Sequence, residues 1–158
     1  MTKKSLLIVA HTPSSKTKEL ASAVLSGSQS DEILNVDVQL RSPFDCDSSD
    51  VLSSDAIILF TTENFGYMSG ALKDFFERIY YPCLEQTDRN ESKPFSLIIR
   101  AGLDGTGTNT SVHSITQGLK WREVQPTLLC KGDFQNKFIE ECYQHGMTMA
   151  AGLDNNIF

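Results

Sequence analysis

Residues 6–10 (Leu6, Leu7, Ile8, Val9, Ala10) and 56–60 (Ala56, Ile57, Ile58, Leu59, Phe60) are unbroken apolar runs. Such a run marks a strand covered on both faces, as in a parallel sheet; a half-exposed strand would alternate. Residues 95–100 predict another strand of this kind. Val36-Asp37-Val38-Gln39-Leu40 alternates and predicts a strand with one face less buried. A fifth is expected over 125–130, at an edge because Pro126 interrupts its amide ladder. Between the strands the apolar spacing changes to three and four. Leu20, Ala21, Val24 and Leu25 predict a helix over 16–26, and Leu72, Phe75, Phe76 and Ile79 one over 69–80 that Pro82 ends. Helices are also expected over 109–120 and 134–153, with a short one over 48–52 capped by Ser48 or Ser49. Five βα units result. Right-handed crossovers and two-sided burial then predict an α/β three-layer sandwich with a five-stranded parallel sheet in the order 2-1-3-4-5. Ligands are expected beyond the carboxyl ends of the strands, near the switch point between the first and third.

A length of 158 residues, 40% hydrophobic and 22% charged, supports one sizeable core and a single domain spanning 1–158. The net charge of -6 argues against a nucleic-acid surface, which needs clustered Lys and Arg. Cys46, Cys83, Cys130 and Cys142 form no C-x-x-C pair and have no His at zinc-like spacing, so neither a metal site nor a disulfide framework is expected. The apolar run after Lys3 and Lys4 is too short for a signal-peptide core or a membrane span, and the expected location is the cytoplasm, with no membrane partner.

Three segments carry candidate chemistry. His11, Thr12, Pro13, Ser14, Ser15, Lys16 and Thr17 join the first strand to the first helix, where amides and hydroxyls face the positive end of a helix dipole and suit a phosphate. The P-loop and dinucleotide glycine spacings are both missing, which favours a monoester phosphate over a nucleoside triphosphate or a Rossmann NAD site. The same hydroxyls would serve equally as plain helix caps. After the third strand, Thr62, Glu63, Asn64, Phe65, Gly66 and Tyr67 combine polar edges with aromatic faces, as a flat heterocycle requires; the alternative is that Phe65 and Tyr67 are lids on the core. Gly102, Asp104, Gly105 and Gly107 form a glycine-rich turn whose backbone can approach a ligand closely. His11 and His113 are proton-donor candidates that fit capping or solvated roles better, and Trp121 is expected to pack on the core or at an interface.

The segment running from Thr62 through Glu63-Asn64-Phe65-Gly66-Tyr67-Met68-Ser69-Gly70-Ala71-Leu72-Lys73 to Arg78 resembles the signature of the flavodoxin-like superfamily, in particular its NADPH-dependent FMN reductase and NAD(P)H quinone reductase branches. Element order extends the likeness over essentially the whole chain, although only this segment is motif-grade. The resemblance implies a flavodoxin-like sandwich that binds FMN without a covalent bond. It places the phosphate at Thr12 to Thr17, the ring against Glu63 to Tyr67, and the far edge of the ring near Gly102 to Gly107. Glu63 stands where the family frequently has Pro, and the first loop lacks the S-x-T-G-N-T form of electron-carrier flavodoxins. The implied activity is electron transfer from NAD(P)H through the flavin to quinones, free flavin or another small-molecule acceptor, with no catalytic side chain required. The alternatives are a flavodoxin-type single-electron carrier and a flavin-free binding module on the same fold. The aromatic cluster Tyr80-Tyr81-Pro82-Cys83-Leu84 lies in a region that is often near a dimer contact in the resembling reductases, so a homodimer is expected.

Overall fold

In the computed structural model, which describes residues 2–158, strands and helices alternate as the periodicity predicts. The elements are β1 (Lys4–Ala10), α1 (Ser15–Ser28), β2 (Val36–Arg41), a 3-10 turn (Pro43–Asp45), α2 (Ser48–Ser53), β3 (Ala56–Asn64) and β4 (Tyr67–Met68). They continue with α3 (Gly70–Leu84), α4 (Thr87–Asn90), β5 (Pro94–Ala101), α5 (Thr106–Gly118), β6 (Arg122–Glu123), β7 (Leu128–Lys131) and α6 (Lys137–Asp154). The sheet runs β2-β1-β3-β5, with β6 and β7 both on the outer edge of β5 and β4 hairpinned onto β3. All pairings are parallel except β3 with β4; Leu6 lies opposite Val38 on one side and Ala56 on the other, and Ile98 opposite Leu128.

With β6 and β7 counted as one interrupted strand, this is the expected 2-1-3-4-5 order of a flavodoxin-like sandwich. The interruption differs from the expected continuous strand over 125–130. β6 pairs with Pro94 and Phe95, β7 with Ile98 to Ala101, and the ladder is open at Pro126, which has no amide to donate.

Alternation along the central strands sends side chains into two separate cores. Leu7, Val9, Ile57, Leu59, Leu97 and Ile99 pack with Leu72, Phe75, Phe76, Ile79 and Val112 of α3 and α5. Leu6, Ile8, Ala10, Ile58, Phe60 and Ile98 pack with Leu20 and Val24 of α1 and with Cys142, Met149 and Leu153 of α6. The helices α1 and α6 cross closely: a Cβ at Gly27 would run into the Tyr143 carbonyl, and one at Gly146 into the Val24 carbonyl. Trp121 belongs to the α3/α5 core and donates its indole N–H to Asn90 Oδ1 at 2.7 Å. Buried Lys93 donates to the Ser54 carbonyl, tying the end of α2 to the start of β5.

Two local expectations are corrected. The cap of α2 is Asp47 rather than Ser48 or Ser49: its carboxylate accepts from the Asp50 amide at 3.1 Å, and Asp50 returns a bond to the Asp47 amide at 2.9 Å. Pro82 does not end α3, which continues to Leu84. A proline in the last turn has a helix-compatible φ and forfeits only the bond to the Arg78 carbonyl, while Cys83 extends the buried stripe. Tyr80 and Tyr81 meet edge to face at 5.2 Å, and the Tyr81 side chain is exposed. No helix among the described residues is long and apolar enough to cross a membrane.

One core group makes stability depend on pH. His145 on α6 is buried with its Nε2 2.8 Å from Ser96 Oγ, and burial lowers its pKa to about 4. The folded state holds the ring neutral and the unfolded chain protonates it at about 6.5. Its contribution is therefore fully present above pH 6.5 and is lost as pH falls toward 4, by about 3 kcal/mol. Thermal midpoints measured from pH 7.5 to 4 are expected to fall less steeply in His145→Gln than in the native chain; parallel curves would refute this assignment.

Candidate functional site

The mid-sheet strand β1 ends beneath the first loop, where the His11 amide donates to the Phe60 carbonyl at 3.0 Å and carries the ladder one residue further. His11 is half-buried, and desolvation lowers its pKa. The hydroxyls proposed from the sequence divide into two pairs. Ser14 and Thr17 form a capping box: Thr17 N donates to Ser14 Oγ at 3.2 Å, and Ser14 N to Thr17 Oγ1 at 3.0 Å. They are thus engaged as helix caps. Thr12 and Ser15 hydroxyls, in contrast, make no hydrogen bond to the described protein, and the Ser15 and Lys16 amides are the first two of α1, without intrahelical acceptors. Two hydroxyls and two amides remain for an anion at the positive end of a fourteen-residue helix. Thr12 also lines a cavity of about 270 Å³ with Lys18, Arg41 and Ser42, two cations beside the loop. The Lys16 ammonium lies 4.6 Å over the Phe134 ring.

The second segment is a hairpin where the sequence suggested a loop. β3 runs on past Thr61 to Asn64, turns at Phe65 and Gly66, and returns as β4, with Glu63 opposite Met68 and Asn64 opposite Tyr67. Phe65 (φ 55) and Gly66 (φ 72) are both left-handed, as a two-residue hairpin turn demands. That conformation costs an L-residue about 1–2 kcal/mol, and at the tip the Phe65 ring stands wholly in solvent. Phe65 is 106% exposed and Tyr67 42%, so neither is a lid on the core. Thr62 Oγ1 donates to Asn64 Oδ1 at 2.7 Å, which leaves the Asn64 amide N–H groups free of that contact.

The third segment folds against the hairpin. Gly105 is left-handed (φ 70) and caps α5, which starts at Thr106, three residues before the expected 109, with Asp104 Oδ1 accepting the Thr106 amide at 3.0 Å. That bond holds the Asp104 carboxyl below its ordinary pKa. Of the three glycines in this segment, only Gly102 faces open space; the room beside Gly105 is filled by Leu129, and that beside Gly107 by the Gly66 carbonyl. Gly107 thus serves the packing of the hairpin tip on α5. Glu63 reaches across: Oε1 accepts from Leu103 N and Oε2 from Gly105 N, each at 2.8 Å.

The three segments therefore meet at the carboxyl edge of β1, β3 and β5, with the phosphate-type donors in the first and the exposed rings in the second. Sequence reasoning missed the clamp made by Glu63, because its partners lie 40 and 42 residues away and leave no local pattern. It also missed Arg100, at the end of β5, which donates to the Ala101 and Cys130 carbonyls and stacks 5.3 Å from the Phe138 ring centroid. A charged residue ending an apolar strand was the available signal.

No protein-family model matches the sequence, and no curated protein matches it. Solved structures match it in fold. A flavodoxin from the domain Archaea superposes with a TM-score of 0.78 at 19% identity, covering 94% of this chain and 98% of that one. A WrbA-like flavodoxin from Agrobacterium tumefaciens gives 0.76 at 17% identity, covering 97% and 99%. Oxidised flavodoxin 1 from Bacillus cereus gives 0.73 at 17% identity, covering 96% and 99%. At these identities the shared property is the flavodoxin-like fold.

The hairpin's position depends on the missing side chain of Gly107. Gly107→Ala places a methyl group against the Gly66 carbonyl, so the tip must lift. The expected cost is about 1–3 kcal/mol in urea denaturation, with faster amide exchange over 63–68; an unchanged midpoint and unchanged exchange would show that the contact is dispensable.

Proposed function

We propose that the chain is an FMN-binding flavoprotein that oxidises NAD(P)H and passes the electrons to a quinone, free flavin or similar small acceptor. The observation that carries this reading is the pairing, across the β1/β3 switch point, of unengaged donors at Thr12, Ser15 and Lys16 with the exposed rings of Phe65 and Tyr67. The donor set fits the group: two hydroxyls and two helix-end amides match a phosphate monoester, and two exposed aromatic faces match a flat ring.

In this reading Thr12 and Ser15 donate to the phosphate while Ser14 and Thr17 hold the loop that presents them. Phe65 and Tyr67 stack against the ring, and Asn64 offers its amide N–H groups to the polar edge. Bound FMN supplies hydride and single-electron chemistry, which is why no side chain of the chain has to act as acid, base or nucleophile.

The neighbours in fold that are flavodoxins favour a second reading, a single-electron carrier served by a protein partner. The test begins with an absorbance spectrum from about 300 to 600 nm after incubation with FMN and removal of free flavin. Retained flavin bands, and NADH or NADPH oxidation above that of free FMN, are the expected result. Retained bands reducible by dithionite but by neither nicotinamide would identify the carrier, and a flat spectrum would overturn both readings. Thr12→Ala and Ser15→Ala are each expected to weaken FMN binding about ten- to hundredfold, the worth of a hydrogen bond to a charged group. Ser14→Ala should act mainly on stability, at about 1 kcal/mol.

A further inference from the structure

The two edges of the sheet are built differently. On one side β6 and β7 are two and four residues long and break at Pro126, features that keep an edge from pairing with another chain. On the other side β2 pairs with β1 without interruption from Val36 to Arg41 and, among the described residues, with no other strand; it holds no proline, glycine or bulge. The Lys4 amide donates to the Asn35 carbonyl at 2.9 Å. Backbone groups alternate sides along a strand, so Asn35, Asp37, Gln39 and Arg41 turn theirs to β1, while Val36, Val38 and Leu40 present theirs outward. The side chains of these last three are half-buried on the α1/α6 core, and Leu40, Arg41 and Ser42 border the cavity of about 270 Å³ against α1. Leu34, just before the strand, and Phe44, just after it, are 73% and 65% exposed.

We propose that β2 is a dimerisation edge that takes β2 of a second copy of this chain, paired antiparallel about a two-fold axis at Gln39. The charges on the strand select that register. With Gln39 opposite its own counterpart, Val38 lies opposite Leu40 of the second copy; both have outward backbone groups, so the two exchange N–H···O bonds. Asp37 then lies opposite Arg41 of the second copy, and Arg41 opposite its Asp37, at the closer, non-hydrogen-bonded positions that suit cross-strand ion pairs. An axis at Val38 or Leu40 parts the opposite charges, and one at Asp37 or Arg41 sets like charges together. The same register carries Leu34 toward Phe44 of the second copy at both ends, covering the exposed apolar side chains that flank the strand. The intrachain partners of the two charges, Lys3 at 3.3 Å from Asp37 and Asp50 at 3.2 Å from Arg41, form solvent-accessible pairs that oppose the exchange only weakly. Antiparallel pairing points the two carboxyl edges in opposite directions, so neither crevice faces the other and the inference stands apart from the flavin reading. An edge of six residues makes a small interface, and the expected dissociation constant is about 10–100 μM.

Sedimentation velocity of the full chain, run from about 5 to 500 μM to bracket that affinity, is expected to move from 17.5 kDa to twice that mass; the monomer mass throughout would overturn the proposal. Amide exchange at Val38 and Leu40 is expected to slow over the same range, and exchange there that ignores concentration would also overturn it. Asp37→Arg and Arg41→Asp each set like charges opposite one another twice across the axis, and each is expected to weaken association at least about tenfold. Mixed in equal amounts, the two variants bring opposite charges together again at both positions and are expected to form a mixed dimer of near-native affinity, which a merely structural effect of either substitution would not produce. Folded variants that dimerise like the native chain, or that fail to recover on mixing, would overturn the register. Should a variant not fold, exchange at Val38 and Leu40 in the native chain decides. Tyr81→Glu, in the aromatic cluster of α3, is expected to leave the dimer intact; loss of the dimer there would move the interface to α3 and overturn the proposal.

Discussion

The constraint on which the rest depends is that β1, β3 and β5 have no face that can be left in water. Leu6 to Ala10 and Ala56 to Phe60 are buried at every position, so each strand needs a helix layer above and another below. The chain meets this by placing α3 and α5 on one face and α1 and α6 on the other, and parallel strands with helical returns bring all their carboxyl ends to one edge. The crevice at that edge follows from packing in the middle of the molecule. The α1/α6 crossing sharpens the effect, since Gly27 and Gly146 let the helices approach backbone to backbone and so fix the axis along which Ser14 presents the start of α1.

Each of the three loops at that edge is then closed by a different local device: a capping box, a left-handed two-residue turn and a left-handed glycine. The devices use up some of the groups that chemistry might have claimed. Ser14 and Thr17 spend their hydroxyls on each other, which orders the loop and leaves Thr12 and Ser15 as the free donors. Phe65 shows the reverse, an aromatic residue held at a positive φ where Asn or Gly is the usual choice, with its ring in solvent. Such strain is sustained by the surrounding structure, here the seat of Gly66 on Gly107 and the pairing of Asn64 with Tyr67.

Glu63 joins two of these loops into one unit. A surface ion pair between mobile side chains would do little, but a carboxylate accepting two backbone amides makes charge-assisted bonds to groups that cannot rotate away. It ties the hairpin to the start of α5 through both carboxylate oxygens.

By itself the sequence determined most of the strands and helices and their order in the sheet, because burial on one or both faces is written as a short-range pattern of apolar residues. It also pointed to the residues of the crevice, since position in a doubly wound fold follows from element order. Tertiary structure alone decided which of those residues are free. Thr61 to Asn64 are too polar to announce a strand; β5 pairs Thr61 and Thr62, and only the return through Tyr67 and Met68 pairs Glu63 and Asn64. Pro126 signalled an edge, but whether the strand would start late or break in two depended on where β5 offered partners. Ser14 and Ser15 are the same residue type at adjacent positions, yet one faces into the cap and the other does not. The double bond from Glu63 to Leu103 and Gly105 has no local signature at all, because a polar group's partner is set by where the folded backbone brings distant segments together.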